Sequence, residues 1–395
     1  MTAVDLPAAP SFIADWRSYP SSVDLVGLHP ADDRLDLLWR DGRISPFHHQ
    51  WLRDNCACSR CVYDVTREQL LEIVDVPETL LPPHACIDEQ GQLLIDWHDG
   101  HHSRYQPGWL RAHAYDDASR AERRAQHPQS RLWGAEMAEQ LAQFDYQAVL
   151  EDDASLLRWL LAVRDYGLTQ LIGVPTTAGA LQRVAQRISF IRESNFGVLF
   201  DVRSKADADS NAYTAFNLPL HTDLPTRELQ PGLQFLHCLV NDAQGGESIF
   251  VDGFAIAEAL QQEAPEDFHS LCSSAVEFRN KSRSSDYRCL APIIALDAEG
   301  RVSEVRMANF LRGPFDVPVE QMPALYRAYR RFIGMTREPR FRLQRRLEAG
   351  QLWCFDNRRV LHARREFDPA SGARHFQGCY VDRDELLSRI RVLQR

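Results

Sequence analysis

The sequence predicts an α+β protein in which a large β-rich domain of sandwich or jelly-roll type follows a small β-rich domain bearing a cysteine cluster. Three observations predict it. From about residue 213 onward, short apolar runs alternate with Gly and Asx turns, the pattern of an antiparallel β fold. Between residues 155 and 191 the apolar spacing lengthens to that of helices. Between residues 22 and 112 alternating runs recur around glycine-containing turns. The chain has 395 residues, 44% hydrophobic and 25% charged, an ordinary globular composition with ample length for a large core.

The elements follow in order. The first twenty residues carry Asp5 and Asp15 and no apolar run behind a basic head, so no secretory signal is expected. Residues 22–112 form the first unit. Leu35, Leu37 and Trp39 mark a strand that turns at Asp41-Gly42 into Arg43-Ile44-Ser45. A second hairpin is expected from Ala85–Ile87, through Glu89-Gln90-Gly91, to Leu93–Trp97. Residues 113–148 read as a connector, polar over Ala118–Gln129, broken by Pro128, and helical over Trp133–Phe144. No internal repeat or low-complexity tract is apparent.

Residues 149–395 read as one larger domain. Ser155 is placed to cap a helix with Leu156, Leu160 and Val163 on its apolar face, ending at Gly167. A strand over Leu168–Val174 and a helix over Leu181–Ile191 come next. Strands are then expected at Leu233–Val240, Ser248–Val251, Gln351–Asp356, Val360–Arg364 and Phe376–Val381. One interior helix, Phe254–Glu263, interrupts them, and Asp384–Leu393 closes the chain as a helix.

Charge and composition exclude several functions. Forty-five basic residues against 55 acidic ones leave a net charge of −10, without the basic excess of a nucleic-acid binder. No run approaches the roughly 18 apolar residues of a membrane span. Nine cysteines, an odd number, suit a reduced cytoplasmic protein. Three of them, Cys56, Cys58 and Cys61, are crowded together in the pattern of a metal site.

The most informative tripeptide is His221-Thr222-Asp223. On a strand, residues i and i+2 share a face, so an imidazole and a carboxylate converge. His362 sits in a second strand-like run, Val360-Leu361-His362. Two histidines and one carboxylate are the facial triad of non-haem Fe(II) oxygenases, which leaves positions for a bidentate cosubstrate and dioxygen. In a chain with 14 histidines a His-x-Asp also arises by chance. Arg374 would suit the distal carboxylate of a chelating 2-oxo diacid, since its planar fork binds carboxylates bidentately. Alone, in this arginine-rich chain, it reads as a surface residue.

These runs resemble the γ-butyrobetaine dioxygenase family, in the taurine-dioxygenase-like branch of the Fe(II)/2-oxoglutarate oxygenases. The resemblance rests on Leu220-His221-Thr222-Asp223-Leu224-Pro225, Pro231–Cys238, Gly245-Gly246-Glu247-Ser248 and Trp353–His362, and extends from about residue 35 to the end. It implies a double-stranded β-helix, Fe(II) held by His221, Asp223 and His362, and 2-oxoglutarate held by Arg374, with Ser248 as a hydroxyl donor. It implies hydroxylation of γ-butyrobetaine at C3 to L-carnitine, with O2 consumed and succinate and CO2 released. It further implies a homodimer, and ascorbate as the reductant that keeps iron Fe(II).

Three thiolates need a fourth ligand, and His84, His98, His101 and His102 are available. The resemblance implies a structural zinc and selects His101, with its neighbour His102 as the alternative. Without it, an iron–sulfur cluster or three ordinary thiols remain open. The resemblance also implies a cage of Phe196, Phe200, Tyr213 and Tyr380 around a trimethylammonium, which offers no N–H and is attracted by aromatic faces instead. Composition alone would make these four core aromatics. Asn309 matches a family asparagine that contacts the substrate carboxylate, and a second falls near Ser210-Asn211. Hydroxylation of N6-trimethyllysine is the near alternative. A non-enzymatic, zinc-dependent interaction protein is the distant one.

Overall fold

The computed structural model describes Tyr19, residues 22–203 and residues 215–395. Two compact units emerge, Met1–Pro128 and Gln129–Arg395. The 113–148 stretch is shared between them. Asp117–Gln126 is a helix of the first, whereas Trp133, Met137 and Leu141 are buried in the second. The helix expected over Trp133–Phe144 shrinks to the single turn Met137–Gln140. The start of that stretch is held by tertiary acceptors, Trp133 N–H bonding Asp252 Oδ2 and Ala135 N–H bonding the Arg340 carbonyl. Gln143–Asp145 pairs instead in parallel with Leu168–Ile172.

The first unit is two three-stranded meanders. One comprises Leu25–Pro30, Arg34–Trp39 and Ile44–His48; the other comprises His84–Ile87, Leu93–Asp96 and His102–Tyr105. Leu35, Leu37, Trp39, Phe47, Leu93, Ile95, Trp97 and Tyr105 form their core. The two meanders turn on one pattern, contrary to the absence of repeats expected above. Trp39-Arg40-Asp41-Gly42-Arg43-Ile44-Ser45 matches Trp97-His98-Asp99-Gly100-His101-His102-Ser103 as Trp-x-Asp-Gly-x-x-Ser. In each, the indole N–H donates to the serine hydroxyl six residues on, at 3.1 and 2.8 Å. Each glycine has φ near +80°, where a side chain would be strained. The repeat is short and its variable positions differ in character, so it escapes a search for similarity.

In the second unit the first long helix is Asp153–Tyr166. Its cap is Asp152, whose carboxylate accepts from Ala154 N–H and Ser155 N–H, and Ser155 falls inside the first turn. It ends as expected at Gly167, in the left-handed region. Two sheets follow. The four-stranded one runs Leu218–His221, Val360–Arg364, Ser248–Asp252, Arg342–Arg345. The six-stranded one runs Gln143–Asp145, Leu168–Ile172, Leu352–Asp356, Leu233–Asn241, Arg374–Val381, Phe200–Val202.

Alternation along the strands explains the layering. Trp353 and Phe355 turn inward to meet Phe250 of the other sheet, with ring centroids 5.0 and 5.4 Å apart. Leu352 and Cys354 turn outward against the helices at 146–188 and 383–393. The result is a double-stranded β-helix. Beyond the helix expected over Phe254–Glu263 and found over Gly253–Glu263, two more, Pro265–Ser273 and Met322–Met335, share a core with Val251 and Leu361 of the four-stranded sheet. A fully buried bidentate pair, Arg359 with Asp252 at 2.9 and 2.7 Å, ties together the ends of two adjacent strands of that sheet.

Candidate active site and metal centre

Strand pairing brings the three expected ligands together. His221, the last residue of its strand, lies opposite His362 in the antiparallel ladder. Their ring centroids are 4.2 Å apart. Asp223 Oδ1 lies 3.1 Å from His221 Nε2 and 3.7 Å from His362 Nε2. One donor atom from each residue falls within 4.8 Å of the others. His221 Nδ1 is 2.9 Å from the Pro219 carbonyl, a bond that sets the ring orientation and turns Nε2 toward Asp223. Burial, with help from His221, pushes the His362 imidazole down to about 3, so it stands neutral and able to ligate. Burial opposes ionisation of Asp223. The hydrogen bonds from His221 and Tyr380 help outweigh it, and the carboxyl lies well below its ordinary range. Two imidazoles and one ionised carboxylate on one side of a cavity fit Fe(II) with positions left open.

That cavity has a volume of about 520 Å³ and is lined by His221, Asp223 and His362. Arg374 and Ser248 line it too, as do Phe196, Phe200 and Tyr380. Arg374 is buried, and its Nε and Nη1 have no hydrogen-bond partner among the described residues. Burial pushes its guanidinium down to about 9, and Arg364 nearby adds repulsion. A buried cation so placed wants an anion, which fits the carboxylate of 2-oxoglutarate. Phe196 and Phe200 have ring centroids 6.0 Å apart, and Phe200 and Tyr380 are 5.1 Å apart, so the three form one aromatic wall. Phe200 lies over Gly378, where an added Cβ would come within 2.5 Å of the ring. Tyr213 and the Ser210-Asn211 pair lie outside the described residues. Asn309 is exposed and does not line the cavity. Its side-chain carbonyl accepts from Tyr329 Oη at 2.9 Å, while the neighbouring Phe310 and Leu311 reach the wall.

Sequence reasoning missed several residues here. Arg364 lines the cavity, and a signal existed for it: it stands two residues after His362 on one strand and so shares its face. Burial pushes its guanidinium down to about 10. Asn357, fully buried, accepts Asp223 N–H at 2.6 Å and donates to the Asp223 carbonyl at 3.0 Å. Tyr380, already expected in the cage, makes a contact that was not: its Oη donates to Asp223 Oδ2 at 2.7 Å. Leu224 takes φ +52°, a conformation that costs a non-glycine residue about 1–2 kcal/mol. It persists because Asn357 holds the chain before it and Arg306 Nη1 holds the Pro225 and Arg227 carbonyls after it.

The first unit holds the second donor cluster. Cys56, Cys58 and Cys61 follow the short helix His49–Asp54 and surround His101. Their sulfurs lie 3.2, 3.5 and 3.6 Å from His101 Nε2. The repeated turn decides between the two histidines. His101 N–H bonds Asp99 Oδ1 and the ring turns inward, 4% exposed. The His102 side chain is 75% exposed and meets Asp96. Crowding forces the thiols to share a proton: Cys56 donates to Cys58, whose pKa falls to about 4 while that of Cys56 rises. Three sulfurs and one imidazole nitrogen fit tetrahedral zinc, a closed set with no place for substrate. With a cation on Nε2 the ring proton belongs on Nδ1. Arg60 Nη2, 2.7 Å away and a donor only, cannot stay there once Nδ1 carries that proton. Cys58→Ser is expected to lose about one zinc equivalent from the purified protein, on four-ligand stoichiometry, with iron loading unchanged. Elemental analysis checks this; undiminished zinc would make the three cysteines ordinary thiols.

Comparison with known proteins places the chain among dioxygenases. Residues 122–380 match the family model "Taurine catabolism dioxygenase TauD, TfdA family", and residues 26–111 match "Gamma-butyrobetaine hydroxylase-like, N-terminal". The chain is 67% identical to a γ-butyrobetaine dioxygenase of Pseudomonas sp. (strain AK-1), covering 97% of this chain and 100% of that one. It is 32% identical to the γ-butyrobetaine dioxygenase of Homo sapiens, over 91% and 94% of the two chains. It is 31% identical to the mitochondrial trimethyllysine dioxygenase of Gallus gallus, over 96% and 91%. Among solved structures, a taurine dioxygenase from Burkholderia xenovorans aligns with TM-score 0.46 at 15% identity, covering 58% of this chain and 82% of that one.

Proposed function

Since the chain belongs to the TauD, TfdA dioxygenase family and carries the γ-butyrobetaine hydroxylase-like N-terminal module, we propose that it hydroxylates γ-butyrobetaine at C3 to give L-carnitine. It is an Fe(II)/2-oxoglutarate-dependent dioxygenase. The observation that carries the substrate is the 67% identity to a named γ-butyrobetaine dioxygenase over that protein's whole length, against 31% to a trimethyllysine dioxygenase. We assign His221, Asp223 and His362 to Fe(II). Arg374 takes the distal carboxylate of 2-oxoglutarate, with Ser248 beside it. The zinc centre is structural. Bound iron and 2-oxoglutarate supply the activation of dioxygen, and the cosubstrate leaves as succinate and CO2.

The chain's own part is to position and to exclude. Phe196, Phe200 and Tyr380 offer π-faces to the trimethylammonium. That holds the short carbon chain across the open side of the triad. Asn309 remains the candidate for the substrate carboxylate and would have to leave Tyr329 to reach it. The same reading takes the enzyme as a cytoplasmic homodimer.

A substrate panel tests the proposal. Each aromatic face around a cation contributes about 0.5–2 kcal/mol, so γ-butyrobetaine should exceed its neutral tert-butyl isostere by at least about tenfold in kcat/KM. Coupled succinate and carnitine formation, read by mass, checks it. Equal use of the two would mean that the cavity reads shape alone. Turnover of N6-trimethyllysine but not of γ-butyrobetaine would keep the iron chemistry and move the substrate.

A further inference from the structure

We propose that Tyr380, beyond walling the substrate cavity, makes Asp223 a one-oxygen ligand by engaging its second carboxylate oxygen. The inference rests on the iron assignment above and deepens it.

The two oxygens of Asp223 stand in different surroundings. Oδ1 faces the imidazoles, 3.1 Å from His221 Nε2 and 3.7 Å from His362 Nε2, where a shared cation would lie. Oδ2 points away and accepts the Tyr380 hydroxyl at 2.7 Å. A hydrogen bond to a carboxylate is charge-assisted and among the stronger neutral-to-ion contacts. Rotation of the carboxylate about Cβ–Cγ, the motion that would bring both oxygens to a metal, breaks that bond. The backbone cannot compensate by shifting, because Asn357 grips both Asp223 N–H and Asp223 C=O. Asn357 is itself fixed by its own N–H to the Gly232 carbonyl at 2.7 Å.

The coordination count gives this bond its importance. Three protein atoms leave three positions on an octahedral ion, two for a chelating 2-oxo acid and one for dioxygen. A bidentate Asp223 would occupy one of them. Tyr380 is therefore a positioning residue for the metal. Its ring, 5.1 Å from that of Phe200, serves the substrate at the same time.

Tyr380→Phe separates the two roles, because it keeps the aromatic face and removes only the hydroxyl. Loss of an outer partner of a ligand typically costs 10- to 100-fold in metal affinity. Fe(II) titration of the metal-free variant is expected to show a dissociation constant raised by about that factor. The metal-to-ligand charge-transfer absorbance of the anaerobic Fe(II)·2-oxoglutarate complex should shift or weaken. The KM for γ-butyrobetaine should change less than threefold, roughly 0.65 kcal/mol by the standard conversion. Tyr380→Leu, which loses the ring as well, should add a rise in that KM. Thermal melts establish that both variants fold. Wild-type iron affinity and absorbance in folded Tyr380→Phe would overturn the inference while leaving the iron and cage assignments intact. Unchanged substrate KM in Tyr380→Leu would instead count against the cage. Failure of wild type itself to bind Fe(II) would remove the iron assignment on which both depend.

Discussion

Asp223→Ala is expected to abolish coupled succinate and carnitine formation while leaving the protein folded. The substitution removes the sole anionic donor of the triad and leaves two imidazoles about a divalent ion. Loss of an outer-sphere partner alone costs roughly 10- to 100-fold, and loss of the ligand itself should exceed that range. The fold should survive because Asn357 bonds the Asp223 backbone, which alanine retains, and the cysteine cluster belongs to the other unit. Activity should fall below detection in parallel with iron content, whereas zinc content should not change. Near-normal turnover with wild-type iron would reject the triad.

The second large effect is on the cosubstrate. In Arg374→Ala the distal carboxylate of 2-oxoglutarate loses its ionic partner inside a buried cavity. Truncating one member of such a pair costs about 2–5 kcal/mol, or roughly 30- to several-thousand-fold in affinity. The KM for 2-oxoglutarate should rise by at least the lower figure. The γ-butyrobetaine KM should move far less. Arg374→Lys keeps a charge but loses the planar fork, and should fall between wild type and alanine. Two structural facts point the same way: Nε and Nη1 of Arg374 are buried without hydrogen-bond partners among the described residues, and Arg364 on the same wall repels it. If only the γ-butyrobetaine constant moves, Arg374 belongs to the other ligand.

What the sequence disclosed and what it concealed divide along physical lines. The strand Val360–Arg364 has the expected bounds and is buried along its whole length. His221, Asp223 and His362 were legible as chemistry, since few other purposes bring His-x-Asp and a later strand histidine together. The helix Met322–Met335 was legible and not read. Its buried Leu325, Ala328, Tyr329, Phe332 and Met335 follow helical spacing. The helix expected over Trp133–Phe144 is cut short because its far end is taken into a sheet, Gln143–Asp145 pairing in parallel with Leu168–Ile172. The contacts that set Asp223 were not legible at all. Asn357 and Tyr380 lie 134 and 157 residues away in sequence, and nothing local marks an asparagine in a turn or a tyrosine in a strand as their partner.

The twin turns of the first unit have a consequence for how that unit responds to its solution. Aligned on their shared pattern, Arg43 occupies the place of His101. The two residues close the unit by different chemistry. Arg43 reaches the Asp117–Gln126 helix, pairing with Glu122 and touching Ser119 Oγ at 3.4 Å. His101 reaches three sulfurs. One latch is an ion pair with a largely exposed glutamate, of the kind worth at most about 1 kcal/mol and weakened by salt. The other, on the zinc assignment, would be sealed by a metal and opened by a chelator. High ionic strength should therefore loosen the far helix and spare the cysteine loop, while chelation should do the reverse. A hairpin used twice thus carries two independent releases, one electrostatic and one coordinative.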